Sequence, residues 1–326
     1  MSGQGTHLST QHFQLQAIAE GVWVAQPKPD GGAACNAGIV DLGDQTIIFD
    51  AFLTPQAAKE LLAVAETVAT SPVKLVVNSH YHLDHIGGNQ AFPETITIVA
   101  TSATRHLMHQ QAAQQLAIMQ EQRTAQLAEL EKQAASARKT AEKQDAQSTL
   151  AEWRLLEEAL PTWQFCLPTM TFDQRLVIYG RNRQVELITY GGGHSQSDAM
   201  LYLPAEHIMF MGDLLSVQCH PALHDGDPGE LPRILDLVKR LQPQILVPGH
   251  GPVGSLSDIQ LMQQYLATIT ETALTELAFQ TEADLDIDKR ISQLRPPALF
   301  ASWTRTPFFA SNLRFLYQRV MTAYAE

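Results

Sequence analysis

Three imidazoles and one carboxylate fall within six residues at His80-Tyr81-His82-Leu83-Asp84-His85, directly after the apolar run Val73 to Val77. So many polar groups at the end of a buried strand carry a large desolvation cost unless they bind a metal ion or face solvent. Three more segments repeat the arrangement with a single ligand-type residue. Gly191-Gly192-Gly193-His194 follows Val185 to Thr189, Gly212-Asp213 follows Ile208 to Met211, and Pro248-Gly249-His250-Gly251 follows Ile245 to Val247. Small neighbours let backbone and ion approach closely. Four strand ends therefore supply ligands for two metal ions at one edge of a sheet. Ligation by nitrogen and oxygen alone suits zinc first, with manganese and iron also compatible.

Two divalent ions roughly 3.5–4 Å apart hold a bridging water whose pKa falls towards neutrality, and they polarise a carbonyl or phosphoryl oxygen. This is hydrolysis without a protein nucleophile, so Ser195 and Ser197 read as loop residues. Asp84 is the candidate catalytic residue, orienting the nucleophile or accepting its proton while also serving as a ligand. His220 and His224, in the segment Cys219-His-Pro-Ala-Leu-His-Asp225 that follows Asp213, are either substrate contacts or plain loop structure. His7 and His12 read as disordered or exposed, His106 and His109 as decoration on the helical insertion, and His207 as a turn residue.

The elements that must hold these groups are short. Val22 to Val24, Ala37 to Val40, Thr46 to Phe49, Val73 to Val77, Arg175 to Tyr179, Val185 to Thr189, Ala199 to Leu203, Ile208 to Met211 and Ile245 to Val247 read as strands punctuated by Gly, Asn or Pro. Thr54 to Thr70 reads as a helix with Thr54 as N-cap and Pro55 first, and Asp227-Pro228-Gly229-Glu230 as the start of another. A glutamine-rich stretch without Gly or Pro, about Thr104 to Leu160, carries Leu116, Met119, Leu127 and Leu130 at helical spacing. It is a helical insertion, either a solvated hairpin or dimer arm, or a lid that shapes a binding pocket. The tail from about Ser257 to Glu326 is mostly helical. Many strands are joined by short turns, which makes this a mixed α/β sandwich rather than a purely parallel sheet.

The set His-x-His-x-Asp-His, then His, then Asp, then His, in these contexts from about Val22 to Gly254, resembles the metallo-β-lactamase-fold hydrolase superfamily. The resemblance implies a four-layer αββα sandwich of two mixed β-sheets, formed as one domain over residues 1–326. It implies His80, His82 and His194 as ligands of a first metal, Asp84, His85 and His250 of a second, and Asp213 bridging both. Asp50 matches a position that supports the ligand loops, or else is a turn carboxylate. The implied activity is attack of metal-bound hydroxide on a small ester, thioester, lactone or amide. A mononuclear iron sulfur dioxygenase acting on a persulfide, using His80, His82 or His194 with Asp213, is an alternative. So is a weak or promiscuous β-lactamase, a dedicated one being disfavoured because those branches generally lack the bridging aspartate.

Composition narrows the partners. The 326 residues are 45% hydrophobic, with 34 Asp+Glu against 22 Lys+Arg and a formal net charge of -12. That is enough apolar content for a large core, and the charge balance disfavours a nucleic-acid face. Cys35, Cys166 and Cys219 are odd in number and far apart, so no disulfide framework is expected. No run approaches the roughly 18 apolar residues of a membrane span, and no basic-then-apolar leader opens the chain. The expectation is a cytoplasmic enzyme with a small-molecule substrate, no nucleic-acid or membrane partner, and a possible homodimer through the insertion.

Overall fold

The computed structural model describes residues 7–29, 31–137, 140–278 and 287–325. The first sheet runs in sequence order through β1 (His7–Ser9), β2 (Phe13–Ala19), β3 (Val22–Pro27), β4 (Ala37–Asp41), β5 (Thr46–Phe49), β6 (Val73–Val77), β7 (Thr97–Thr101) and β8 (Met170–Phe172). It is antiparallel as far as β5 and parallel from there, because helices and the long insertion carry the chain back between β5, β6, β7 and β8. The second sheet has the order β13-β12-β11-β10-β9, from β9 (Arg175–Tyr179), β10 (Gln184–Thr189), β11 (Ala199–Leu203), β12 (Ile208–Ser216) and β13 (Ile245–His250), with only β12 and β13 parallel.

The helices are α1 (Pro55–Val68), α2 (Leu83–Ile86), α3 (Ser102–Leu107), α4 (Ala113–Ser136), α5 (Thr140–Ala159), α6 (Glu230–Arg240), α7 (Leu256–Ala278), α8 (Ile287–Gln293) and α9 (Pro307–Ala325). Helix α1 begins as its sequence dictates, with the Thr54 hydroxyl accepting from Ala57 N and proline in the first turn. Helix α6 starts regularly at Glu230, later than Asp227 as expected. Asp227 nonetheless performs the cap: its carboxylate accepts from Gly229 N at 2.8 Å and its carbonyl from Leu231 N. Part of the expected helical tail, residues 279–286 and Glu326, lies outside the described residues.

Strand alternation sorts the side chains into layers. On β12, Ile208 and Phe210 face the other sheet while Met209 and Met211 face α6 and α7. On the first sheet, Phe49 and Val77 point between the sheets, whereas Ile48 and Val76 pack outward with Ala57 and Leu61 of α1. The result is the expected αββα sandwich. The sheets pack tightly at Gly38, where a Cβ would stand 2.4 Å from Phe210 Cε1. Strands β1, β2, β7 and β8 escaped the sequence reading: β1 and β8 have three residues each, and β7 lies between the loop after α2 and the insertion.

The insertion forms α3, one π-helical turn (Met108–Ala112), α4 and α5. Its base is part of the body of the protein: Leu107, Met108, Leu116, Leu156 and Leu160 pack with Tyr81, Leu83 and Ile86 of the histidine-rich segment. Beyond Leu116 most α4 residues are exposed. Among the described residues no helix is long and apolar enough to cross a membrane. His12, expected to be exposed, is buried with its Nδ1 2.6 Å from Gly31 O.

Phe210, 1% exposed and 5.7 Å from the Phe49 ring, closes the two sheets on each other. Phe210→Ala is expected to lower stability by about 3–5 kcal/mol, read as a shift of the denaturant midpoint with unchanged slope.

Candidate metal centre

The segment after β6 turns sharply into α2 and lays His80, His82, Asp84 and His85 along the rim between the sheets. His194 stands in the turn between β10 and β11, and His250 is the last residue of β13. Asp213 lies inside β12, which continues past Met211, where the expected strand stopped. The register of β12 against β13 shifts between Phe210 and Gly212 and again before Ser216, an irregularity of the kind that re-aims a side chain at a sheet edge. Gly249 makes room for it: a Cβ there would lie 1.8 Å from Asp213 Oδ1.

Seven side chains converge in two groups, His80, His82, His194 and Asp213 in one and Asp84, His85 and His250 in the other. Within each group the ligand-type atoms lie within 4.8 Å of one another. Asp213 touches both: Oδ1 is 3.1 Å from His85 Nε2, and Oδ2 is 3.3 Å from His194 Nε2 and 3.2 Å from His250 Nε2. His250 Nε2 is also 3.2 Å from Asp84 Oδ2. Yet His80 Nε2, His85 Nε2, His250 Nε2 and Asp213 Oδ1 are all buried without a properly aligned hydrogen bond. Atoms this close but misaligned share a common aim, and ligands on a tetrahedron with arms of about 2 Å are about 3.3 Å apart. The residues fit divalent metal ions.

Surrounding hydrogen bonds choose the tautomer of each ring. Asp50 Oδ2 accepts from His85 Nδ1 at 2.8 Å and from Ser79 Oγ at 2.9 Å, and Ser79 Oγ in turn accepts from His80 Nδ1 at 2.9 Å. One carboxylate thus leaves the Nε2 lone pairs of both His80 and His85 facing the cluster. Asp50 adopts φ +64°, a left-handed conformation that aspartate tolerates better than most residues. His82 donates from Nε2 to Asp225 Oδ2 at 2.8 Å, which turns its Nδ1 towards His194 Nε2, 3.0 Å away. The Tyr81 hydroxyl donates to the same Asp225 carboxylate, with Gln111 Oε1 of the insertion 3.0 Å from it.

The charges suit ligation. Burial pushes His80 well below the usual imidazole range, and pushes His82 down to about 4 and His194 to about 3, so these rings are neutral. For Asp84 and Asp213 burial favours the neutral acid, but His85 and His250 outweigh it and hold both well below the usual carboxylate range. Little proton competition stands between the first group and a cation, whereas in the second the neighbouring acidic groups overcome burial and hold His85 and His250 above the usual imidazole range, so those rings give up a proton when they ligate.

The backbone of the ligand loops is fastened by polar residues that the sequence reading passed over. Asp198 accepts from Gly193 N at 2.8 Å, His194 N at 3.0 Å and Ser195 Oγ at 2.7 Å, so Ser195 is a structural loop residue. Asn36 Nδ2 donates to Pro248 O and Gly251 O, both at 2.8 Å, clamping the turn that carries His250. The local pattern His194-Ser-Gln-Ser-Asp198 carries a turn signal; Asn36 carries none, because its partners are more than two hundred positions away.

The two histidines named as substrate contacts separate. His224 is exposed, with its ring stacked 6.4 Å from that of His82 at the mouth of the cluster. His220 is turned away from the mouth. It is 0% exposed, its Nδ1 is 3.1 Å from Tyr265 Oη, and Trp303 and Phe309 enclose it, so an aromatic cage and not the substrate side takes its ring.

A profile of the Metallo-beta-lactamase superfamily matches residues 30–162. The chain is 28% identical over 124 residues to a type 2 metallo-beta-lactamase of Bacteroides fragilis, covering 35% of this chain and 48% of that one. It is 21% identical over 277 residues to a linear primary-alkylsulfatase of a Pseudomonas species, covering 82% and 51%. It thus spans about half the length of these curated relatives. Among solved structures, a metallo-beta-lactamase from Pontibacter korlensis superposes with a TM-score of 0.53 at 20% identity, covering 81% of this chain and 99% of that one. One from Erythrobacter litoralis superposes at 0.57 and 16%, covering 81% and 100%. These structures share the fold.

Asp50 is the support most easily isolated. Asp50→Asn leaves either Ser79 N, which donates to Oδ1, or His85 Nδ1 and Ser79 Oγ, which both donate to Oδ2, without an acceptor and is expected to weaken zinc affinity by about 10- to 100-fold, measured by competition with a chromogenic chelator. An affinity within twofold of the unaltered protein would remove Asp50 from the support of the cluster.

Proposed function

The chain belongs to the metallo-β-lactamase superfamily, and from that premise we propose that it is a dinuclear metal-dependent hydrolase acting on a small ester, thioester, lactone or amide. The observation that carries the proposal is the pair of ligand groups joined by Asp213. His80, His82 and His194 hold one divalent ion, Asp84, His85 and His250 the other, with zinc the preferred metal. Bound there, the ions supply an acidified water and a Lewis acid for the developing oxyanion.

The chain's own groups do the rest. Asp84 is the only carboxylate of the cluster with substantial exposure, its side chain being 25% accessible against 5% for Asp213. It therefore faces incoming substrate and is placed to orient the nucleophile and take its proton. His224 lines the mouth beside His82. The base of the insertion, through Tyr81, Leu83 and Ile86, forms a wall behind the ligand loop and excludes water from that side. The exposed length of α4 is the surface through which two copies of this chain would pair.

The likeness to an alkylsulfatase over 82% of the chain, a span long enough to take in the ligand segments, favours a second reading, hydrolysis of a sulfate ester. A panel on zinc-, manganese- and iron-loaded protein, spanning a neutral ester, a thioester, a lactone, a cephalosporin and an alkyl sulfate, separates the readings. Oxygen uptake on glutathione persulfide by the iron form alone would point instead to dioxygenase chemistry.

Elemental analysis is expected to find close to two ions per chain, dropping on replacement of His82. Well under one ion per chain, unchanged in His82→Ala, would sink the proposal. Asp84→Asn is expected to lower kcat by about 10²- to 10⁴-fold in steady-state assays of the preferred substrate.

A further inference from the structure

The loop 217–229, between β12 and α6, carries His224 and Asp225 and contains no helix and no strand beyond a single bridge at Cys219. Its shape is therefore set from outside, and the C-terminal helices grip its first half. Asn312 of α9, 1% exposed, accepts at Oδ1 from Leu223 N at 3.1 Å and donates from Nδ2 to Pro221 O at 2.8 Å and to Tyr265 Oη of α7 at 3.2 Å. Tyr265 Oη lies 3.1 Å from His220 Nδ1. One side chain thus meets a donor and an acceptor of the same loop, a task for which a carboxamide is suited and a carboxylate is not. Losing it would leave two backbone groups buried and unpaired.

The second half of the loop is tied at Asp227, whose N donates to Gly193 O at 3.0 Å, next to the ligand residue His194. Only residues 224–226 span the interval between the two anchors. Asp225 is the middle one, and its carboxylate accepts from His82 Nε2 at 2.8 Å and from the Tyr81 hydroxyl. Its side chain is 24% accessible, so the anchored backbone on either side, more than close packing, decides where that carboxylate stands. A shift of the 221–223 backbone moves Asp225 relative to His82, and a ring deprived of this acceptor no longer has Nδ1 selected as the nitrogen that faces the cluster.

We propose that Asn312 is a positioning residue of the metal centre: it holds the 221–223 backbone so that Asp225 meets His82 Nε2 and His82 presents Nδ1 to the first ligand group. This role rests on the hydrolase reading in that His82 is taken there as a ligand. It brings α7 and α9, which lie beyond the residues 30–162 matched by the family profile, into the support of the site.

The test is a double-mutant cycle on the full-length protein. Zinc affinity is read by chelator competition, and the binding step of the first group is identified as the one lost in His82→Ala. Asp225→Ala is expected to weaken that step about 10- to 100-fold and Asn312→Ala about tenfold, while the double variant stays within about twofold of Asp225→Ala alone. A residue that served stability alone would lower the denaturant midpoint and leave this coupling absent. Tyr265→Phe, which keeps the ring and removes the hydroxyl, carries the same cycle with a smaller loss and decides the matter if Asn312→Ala does not fold. In metal-free protein with isotope-labelled histidine, nitrogen NMR is expected to show His82 as the Nε2–H tautomer, and as a mixture of tautomers in Asn312→Ala and in Asp225→Ala. Additive losses in the double variant, or an unchanged His82 tautomer in both Asn312→Ala and Tyr265→Phe, would overturn the role. Failure of the unaltered protein to take up zinc through His82 sinks the hydrolase reading alone, since the tautomer still decides this inference; two tightly held ions with Asn312 losses independent of Asp225 sink this inference alone.

Discussion

Asp213 is the constraint around which the edge of the molecule is arranged. Its two oxygens stand 3.1–3.3 Å from three imidazole nitrogens contributed by three separate segments. To put a carboxylate there, β12 must run beyond its regular pairing, shift register against β13, and pass a residue at position 249 that has no side chain. Crowding two ionised carboxylates and five imidazoles in a buried space is tolerable because their ligand atoms are aimed at the same points, where a cation offsets the desolvation cost.

The surrounding structure serves that convergence in tiers. Asp50 sets two rings through one carboxylate, Asp225 sets a third, and Asp198 and Asn36 fasten the turns bearing His194 and His250. The inter-sheet core around Phe49 and Phe210 keeps the two sheets at the spacing that brings β6, β10, β12 and β13 to one rim. A ligand set spread over 171 positions, from His80 to His250, depends on that core more than on any local element.

The histidine-rich segment was legible because three rings and a carboxylate after an apolar strand have few other uses. His194, Asp213 and His250 were legible because each sits in a glycine-containing segment next to an apolar run. What stayed hidden depended on distance. His220 and His224 are four residues apart in one loop, yet one enters an aromatic cage completed by Tyr265, Trp303 and Phe309 while the other stacks at the mouth. The insertion offered no sequence signal to decide between arm and lid. Its base packs on Tyr81, Leu83 and Ile86, which makes it a wall of the ligand loop, while its outer length stays open to solvent.

By itself the sequence determined the kinds of ligand, the order in which strands deliver them, and the layered α/β architecture, since strand periodicity and the cost of buried polar groups are local properties of the chain. Tertiary structure alone decided which nitrogen of each ring faces the cluster and which distant residues, Asp225 for His82 and Asn36 for the His250 turn, hold the ligands in place. Those are matters of direction and partner, and the partners are supplied by segments whose separation along the chain carries no record of their proximity in space.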